Sequence, residues 1–125
     1  MSQAFVISRH NAQKAGLHYD LYLSTTEDCT DFLAYVLPKG MPTESGVKHL
    51  AIKVENHSPE TVYFSGVIEE GYGKGTKEVW DEGTYIPYRH IVAPKPVRID
   101  FFGGKILDSY YLKHWSGPRW LMWRV

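Results

Sequence analysis

The 125-residue sequence predicts an all-β protein, most simply a compact single-domain barrel of about eight strands. Three observations carry that expectation. Apolar residues recur mostly at every second position, in short runs. Turn-forming residues separate the runs, with 11 glycines and 7 prolines in the chain. Helical spacing of apolar residues is scarce. A two-sheet sandwich suits the same pattern, but a barrel leaves no strand edge unpaired.

Phe5–Ser8 is the first expected strand. Leu17–Leu23 alternates, with Leu17, Tyr19, Leu21 and Leu23 on one side and His18, Asp20 and Tyr22 on the other. Phe32–Leu37 is an apolar run stopped by the turn Pro38-Lys39-Gly40. Leu50–Glu55 places Leu50, Ile52 and Val54 on one face. Tyr63–Ile68 and Lys77–Trp80 flank a glycine-rich connector, and Gly83-Thr84-Tyr85 opens another connector. Val97–Phe102 and Lys105–Leu112 read as a hairpin about Gly103-Gly104, and Arg119–Val125 closes the chain.

Composition narrows the class. A chain of this size buries roughly 65–70% of its unfolded surface, enough for a core. Aromatic residues make up 14% and the net charge is zero, which excludes disorder. No apolar run approaches the ~18–20 residues of a membrane span, so no membrane partner is expected. MSQAFVISRH has no charged stretch followed by a long apolar one, so a cytoplasmic location is expected. Cys29 is the single cysteine, which excludes an internal disulfide and a cysteine-based zinc finger. It sits in the polar stretch Glu27–Asp31, a poor setting for a nucleophilic thiolate. The zero net charge hides an asymmetry. Residues 1–88 hold 7 Lys/Arg against 12 Asp/Glu, and residues 89–125 hold 7 against 2. The basic part carries Trp115, Trp120 and Trp123, the mixture of cations and stacking surfaces that suits nucleic-acid ends. Trp120 and Trp123 also read simply as core residues of a last strand.

The strongest chemical signal is His18-Tyr19-Asp20. Two apart on a strand, His18 and Asp20 project from one face about 6–7 Å apart at Cα, so imidazole and carboxylate can converge on one divalent cation. His10, before the turn at Asn11–Gly16, is placed to supply a third ligand. Two histidines and a carboxylate leave coordination positions open for chemistry. The plainer reading is a polar strand face. His57, after Val54-Glu55-Asn56, suits phosphate contact or proton transfer, or is a surface loop histidine. Lys39 is a phosphate contact or a turn residue. Gly71-Tyr72-Gly73-Lys74-Gly75-Thr76 lacks the spacing of a phosphate loop and reads as a connector.

These motifs stand in a specific order: His10-Asn11-Ala12, Leu17-His18-Tyr19-Asp20-Leu21, Pro38-Lys39-Gly40, Val54-Glu55-Asn56-His57, Phe64-Ser65-Gly66-Val67-Ile68, the glycine-rich run, and Val79-Trp80-Asp81-Glu82-Gly83-Thr84-Tyr85. From Phe5 to Tyr85, and again at Arg119-Trp120-Leu121, the chain resembles the 3′-phosphoesterase domain of bacterial and archaeal DNA ligase D. The resemblance implies a β-barrel that removes a 3′-terminal ribonucleoside and then a 3′-phosphate, preferably with Mn²⁺, with Co²⁺ or Zn²⁺ as alternatives. It implies DNA or RNA/DNA 3′ ends at primer–template junctions as substrates, and a separate DNA ligase as partner. By motif match His10, His18 and Asp20 hold the metal, His57 contacts the scissile phosphate and Lys39 serves the site.

Four positions depart from the family pattern. Tyr22 and His49 stand at phosphate-facing positions where arginines are usual, Thr61 replaces a tyrosine, and Asn11 an aspartate. Losing two guanidinium forks makes a weakened relative that only binds DNA ends or a repair partner the main alternative. An iron oxygenase using His18, Asp20 and His90, with Arg98 for a co-substrate, is the other.

Overall fold

The computed structural model describes residues 3–25, 28–92 and 94–125. Along the chain run β1 (Gln3–Ala12), β2 (Gly16–Ser24), β3 (Phe32–Leu37), β4 (His49–His57), a single helical turn α1 (Pro59–Val62), β5 (Gly66–Ile68), β6 (Gly75–Pro87), β7 (Val97–Gly103), β8 (Ser109–Ser116) and β9 (Arg119–Arg124). Hydrogen bonding follows the order β1-β2-β3-β4-β9-β8-β7-β6, and β6 returns to β1. Eight antiparallel strands thus close into a barrel, with β5 hung on β6 outside the ring. The predicted class holds. Among the described residues no helix is long and apolar enough to cross a membrane.

Closure depends on β6. One of its edges pairs with β1 from Gln3↔Tyr85 to Ala12↔Gly75. Its other edge pairs with β7 through residues 83–87 and with β5 through residues 75–77. The strand expected at Lys77–Trp80 therefore runs on through Gly83–Tyr85, where a connector was expected. Gly83 is no break: a Cβ there would lie 2.0 Å from the Phe102 carbonyl oxygen, so glycine is what lets β7 approach. The register slips at Ile7/Ser8, where Ser8 faces Val79 and Ile7 faces Asp81. Trp80 is the extra residue of this bulge.

Other boundaries also move. β1 runs four residues past Ser8, so His10 sits on a strand and the turn is residues 13–15. The Gly103-Gly104 hairpin does not form. β8 begins at Ser109, because the Asp81 carboxylate accepts hydrogen bonds from the Gly104 and Ile106 amides at 2.8 and 2.7 Å and holds residues 104–108 as a longer loop. Of the expected strand Tyr63–Ile68 only Gly66–Ile68 pairs.

The interior takes one face of each ring strand: Phe5 and Ile7, Leu21 and Leu23, Tyr35 and Leu37, Ala51, Tyr85, Ile99 and Phe101, Tyr110 and Leu112, Trp120 and Met122. Phe101 is the aromatic hub, edge-on to Phe5 at 5.0 Å and to Tyr110 at 5.5 Å between ring centroids. Tyr85 satisfies its hydroxyl on the Ser24 carbonyl at 2.6 Å. Leu17, expected inward, is 47% exposed and absent from this core.

A second cluster of Val6, Tyr22, Phe32, Ala34 and Val62 lies on the opposite, outward face of β1–β3. Val62 of α1 is fully buried there, so the stretch between β4 and β6 folds back over the outside of the barrel. The apolar residues Ile52 and Val54 of β4 also face this space, leaving Ala51 to the interior. A groove of about 580 Å³ results between wall and covering segment.

Candidate metal centre

Three strands supply the polar floor of the groove. On β1 and β2 the register pairs His10 with His18 and Ser8 with Asp20. All four side chains project outward because Phe5, Ile7, Leu21 and Leu23 take the inward positions. On β6 Lys77 is the register partner of His10.

His10, His18 and Asp20 are buried, and each offers a ligand atom within 4.8 Å of the other two. His10 Nδ1 stands 3.5 Å from Asp20 Oδ2, and His18 Nε2 stands 3.3 Å from Asp20 Oδ1. The outer nitrogens are already engaged. His10 Nε2 donates to the Gly73 carbonyl at 2.7 Å, and His18 Nδ1 lies 3.3 Å from the Gly16 carbonyl. Those bonds select the tautomers that turn His10 Nδ1 and His18 Nε2, lone pair first, toward the carboxylate. Two imidazoles and a carboxylate with second bonds fixing both rings are a donor set that fits a divalent transition metal. Protonated at Nε2, His18 would donate to Asp20, and that hydrogen bond raises its pKa above the ordinary value against the opposing effect of burial.

The glycine-rich connector has a role that its sequence did not disclose. Its Gly73 carbonyl orients His10, and a Cβ on Gly73 would lie 3.2 Å from His10 Cε1. Small residues let the loop lie against the imidazole, while Tyr72, 73% exposed, stands at the mouth of the groove.

His57 ends β4 inside the same groove, its ring 5.6 Å from that of Tyr22. Among the described residues, two buried side-chain polar atoms have no partner, His57 Nδ1 and Ser8 Oγ. One lines the groove and the other is the cross-strand neighbour of Asp20. Buried polar atoms are nearly always hydrogen-bonded in folded proteins, so orphans gathered at one place mark a site that expects more than protein. Tyr22 is 3% exposed, and burial pushes its phenol pKa well up, with Asp20 adding to the effect. Thr61 also lines the groove.

Lys39 and His49 lie apart from this group. Lys39 is exposed on the turn after β3, beside the groove-lining Pro38, and His49 Nδ1 hydrogen-bonds the Gly40 carbonyl at 2.8 Å. His90 lines a separate concavity with Tyr85, Arg89 and Ile91, and Arg98 is paired with Asp100. Neither joins His18 and Asp20, which removes the geometric basis of the oxygenase reading. Sequence reasoning missed Lys77, 5% exposed, whose ammonium donates to the Thr61 carbonyl at 2.7 Å and sits 4.9 Å above the Tyr22 ring. Burial lowers its pKa and the charge of Asp20 opposes that fall.

The outer face beyond β4 is basic and aromatic. Ile52, a groove residue, pairs with Arg119 of β9. The Arg119 guanidinium lies 4.7 Å over exposed Trp115, and Lys48 lies 5.3 Å over Trp123, which stacks on Tyr111. Of the two tryptophans read as core, Trp120 is interior and Trp123 is on this face.

Comparison with known proteins agrees with the geometry. The family model described as the DNA ligase D 3′-phosphoesterase domain matches residues 8–114. The multifunctional non-homologous end joining DNA repair protein LigD of Mycobacterium tuberculosis is 37% identical over 97% of this chain. The LigD of Mycolicibacterium smegmatis is 30% identical over 97% of it, and that of Pseudomonas aeruginosa 37% identical over 66%. The chain spans 16% of the length of the two mycobacterial relatives and 9% of that of the third. With a family match across the barrel and a triad of metal-ligand type on its outer wall, this chain belongs to the DNA ligase D 3′-phosphoesterase domain family.

Proposed function

We propose that residues 1–125 act as one metal-dependent phosphoesterase unit that trims nucleic-acid 3′ ends for DNA end joining. Its substrates are a 3′-terminal ribonucleoside and a 3′-phosphate on DNA or RNA/DNA primer ends. The observation that carries this reading is the buried His10–His18–Asp20 triad, with the unpartnered His57 nitrogen in the same groove. Family membership supports it.

In this reading His10 Nδ1, His18 Nε2 and Asp20 hold Mn²⁺, with Co²⁺ or Zn²⁺ as substitutes. A bound divalent cation would offset phosphate charge and lower the pKa of water. The protein does the rest. His57 meets the phosphate, stabilising its developing charge and returning a proton to the departing nucleoside oxygen. Ile52, Val54 and Tyr22 exclude water from one wall. Lys39 reaches the strand from the rim, and His49 is assigned to holding the Pro38–Gly40 turn. The nucleic acid runs out over the β9–β8 face, whose cations meet phosphates. The setting is the cytoplasm, beside a separate DNA ligase.

The test is a primer–template ending in 3′-phosphate, incubated with Mn²⁺ and followed by phosphate release. Release in the wild type, lost by about 10²–10⁴-fold in His57→Ala, is the expected result. Tight binding without release across metals and pH would instead favour the end-binding alternative, which Tyr22 motivates by filling a position where an arginine is usual. The β9–β8 face makes its own prediction. Replacing two cations of this face, exposed Lys113 of β8 and Arg119 of β9, in Lys113→Ala/Arg119→Ala weakens duplex binding and flattens the salt dependence of log K by roughly 0.9 per lost phosphate contact, or about two units in slope. An unchanged slope removes that face from the binding path.

A further inference from the structure

Resting on the phosphoesterase reading, we infer that Lys77 forms a fixed-cation subsite beside the metal triad, which selects a terminal phosphate monoester over a 3′-hydroxyl end. The argument starts from position. Lys77 is the cross-strand partner of His10 and leans across the groove to Tyr22. It is among the few buried charged residues, and among the described residues no carboxylate lies within ion-pair distance of its ammonium. Asp20 acts on the ammonium only through space, and a buried charge without an ion-pair partner is unfavourable, so a fold that keeps one ordinarily has a use for it. The ammonium has three donor positions; the Thr61 carbonyl takes one, and the Tyr22 ring offers a π face.

Charge balance narrows the ligand. A divalent cation on the triad engages the Asp20 carboxylate, and Lys77 then adds a further positive charge in a groove walled by Ile52, Val54 and Ala34. The net of two positive charges matches a phosphate monoester near neutral pH, which carries about −1.5 to −2. A diester carries one negative charge and a 3′-hydroxyl end none at that point. Tyr22 itself brings no charge, so on this wall the cation comes from β6. His57 and Lys77 both line this groove and both pack against the Tyr22 ring, 5.6 and 4.9 Å from its centroid, which places them as neighbours around one anion.

The test is equilibrium binding of two fluorescent hairpin duplexes with Mn²⁺ present, one ending in a 3′-methylenephosphonate, a non-hydrolysable dianion in place of the phosphate, and one in 3′-hydroxyl. The wild type is expected to prefer the dianionic end, with Lys77 supplying about tenfold of that preference, the scale of one charge-assisted hydrogen bond. Lys77→Arg keeps that preference. Lys77→Met and Lys77→Gln lower it by about tenfold while affinity for the hydroxyl end changes by less than about twofold. Gln still offers a donor to the Thr61 carbonyl, so its lowered preference isolates the charge from the tether. Preference undiminished in both neutral variants overturns the subsite and assigns Lys77 to tethering α1, as does a wild type with no preference. Failure of the enzymatic reading shows separately, as absence of phosphate release by the wild type with Mn²⁺.

Discussion

Asp20→Ala abolishes divalent-cation binding and lowers 3′-phosphate release by about a thousandfold or more, while the barrel stays folded. The carboxylate is the hinge of the triad, with one oxygen 3.5 Å from His10 Nδ1 and the other 3.3 Å from His18 Nε2. Removing it leaves two imidazoles, too few donors for a tight divalent site at neutral pH. A metal supplies several kcal/mol of transition-state stabilisation, and each ~1.4 kcal/mol is a factor of ten in rate. Stability responds differently, because Asp20 faces outward while its neighbours Tyr19 and Leu21 pack into the core. Loss of the histidine contacts and of a counter-charge for Lys77 amounts to about 1–2 kcal/mol, well inside the reserve of a domain this size. Calorimetric titration with Mn²⁺, beside thermal melts of the ion-free protein, checks both halves. Metal affinity in the wild type should also fall as the solution is acidified, since the pKa of His18 is raised and its proton must leave before a cation binds. Equal Mn²⁺ affinity in wild type and Asp20→Ala would remove the triad from the mechanism.

The parts of this site that could be read from sequence are those written in local spacing. His18 and Asp20 are two apart on a strand whose alternation is clear, so their common face follows from the pleat alone. β3 is an uninterrupted apolar run and has the expected ends. β1 is harder. Past Ser8 it continues as Arg9-His10-Asn11, polar on both faces, and only its ladders to β2 and β6 show that it is strand. Gly83 signals a turn locally, yet its missing Cβ serves close approach between β6 and β7. Lys77 lies on an expected strand, but nothing local says which of its faces is covered, and the bulge at Trp80 shifts the face pattern just beyond it. The covering by α1, whose Thr61 carbonyl takes the ammonium, the Tyr22 ring and the pairing with β5 together bury Lys77. Gly73 is the same kind of case: its carbonyl meets His10 across 63 residues of chain, a distance no local pattern encodes.

Asp81→Ala should destabilise the barrel by about 3–5 kcal/mol, the largest effect on stability expected from a residue outside the apolar core. The side chain is 7% exposed and accepts from two backbone amides, Gly104 at 2.8 Å and Ile106 at 2.7 Å. Each hydrogen bond to a charged acceptor contributes roughly 1.5–3 kcal/mol, and removing the acceptor strands two amides in a partly buried loop. Geometry prevents an easy repair. A Cβ on Gly103 would lie 2.5 Å from Asp81 Oδ2 and 2.6 Å from Phe5 Cζ, so the carboxylate fills the corner where β7 leaves the barrel beside β1. Without it the 104–108 loop has no fixed path, and the register that sets Phe101 against Phe5 and Tyr110 loosens with it. Asp81→Asn is expected to fall between, since the amide keeps one acceptor oxygen and turns a donor toward the second N–H. Urea unfolding of the three proteins gives the ranking directly. Equal midpoints for Asp81→Ala and wild type would mean that the loop holds itself and that the barrel closes without this carboxylate.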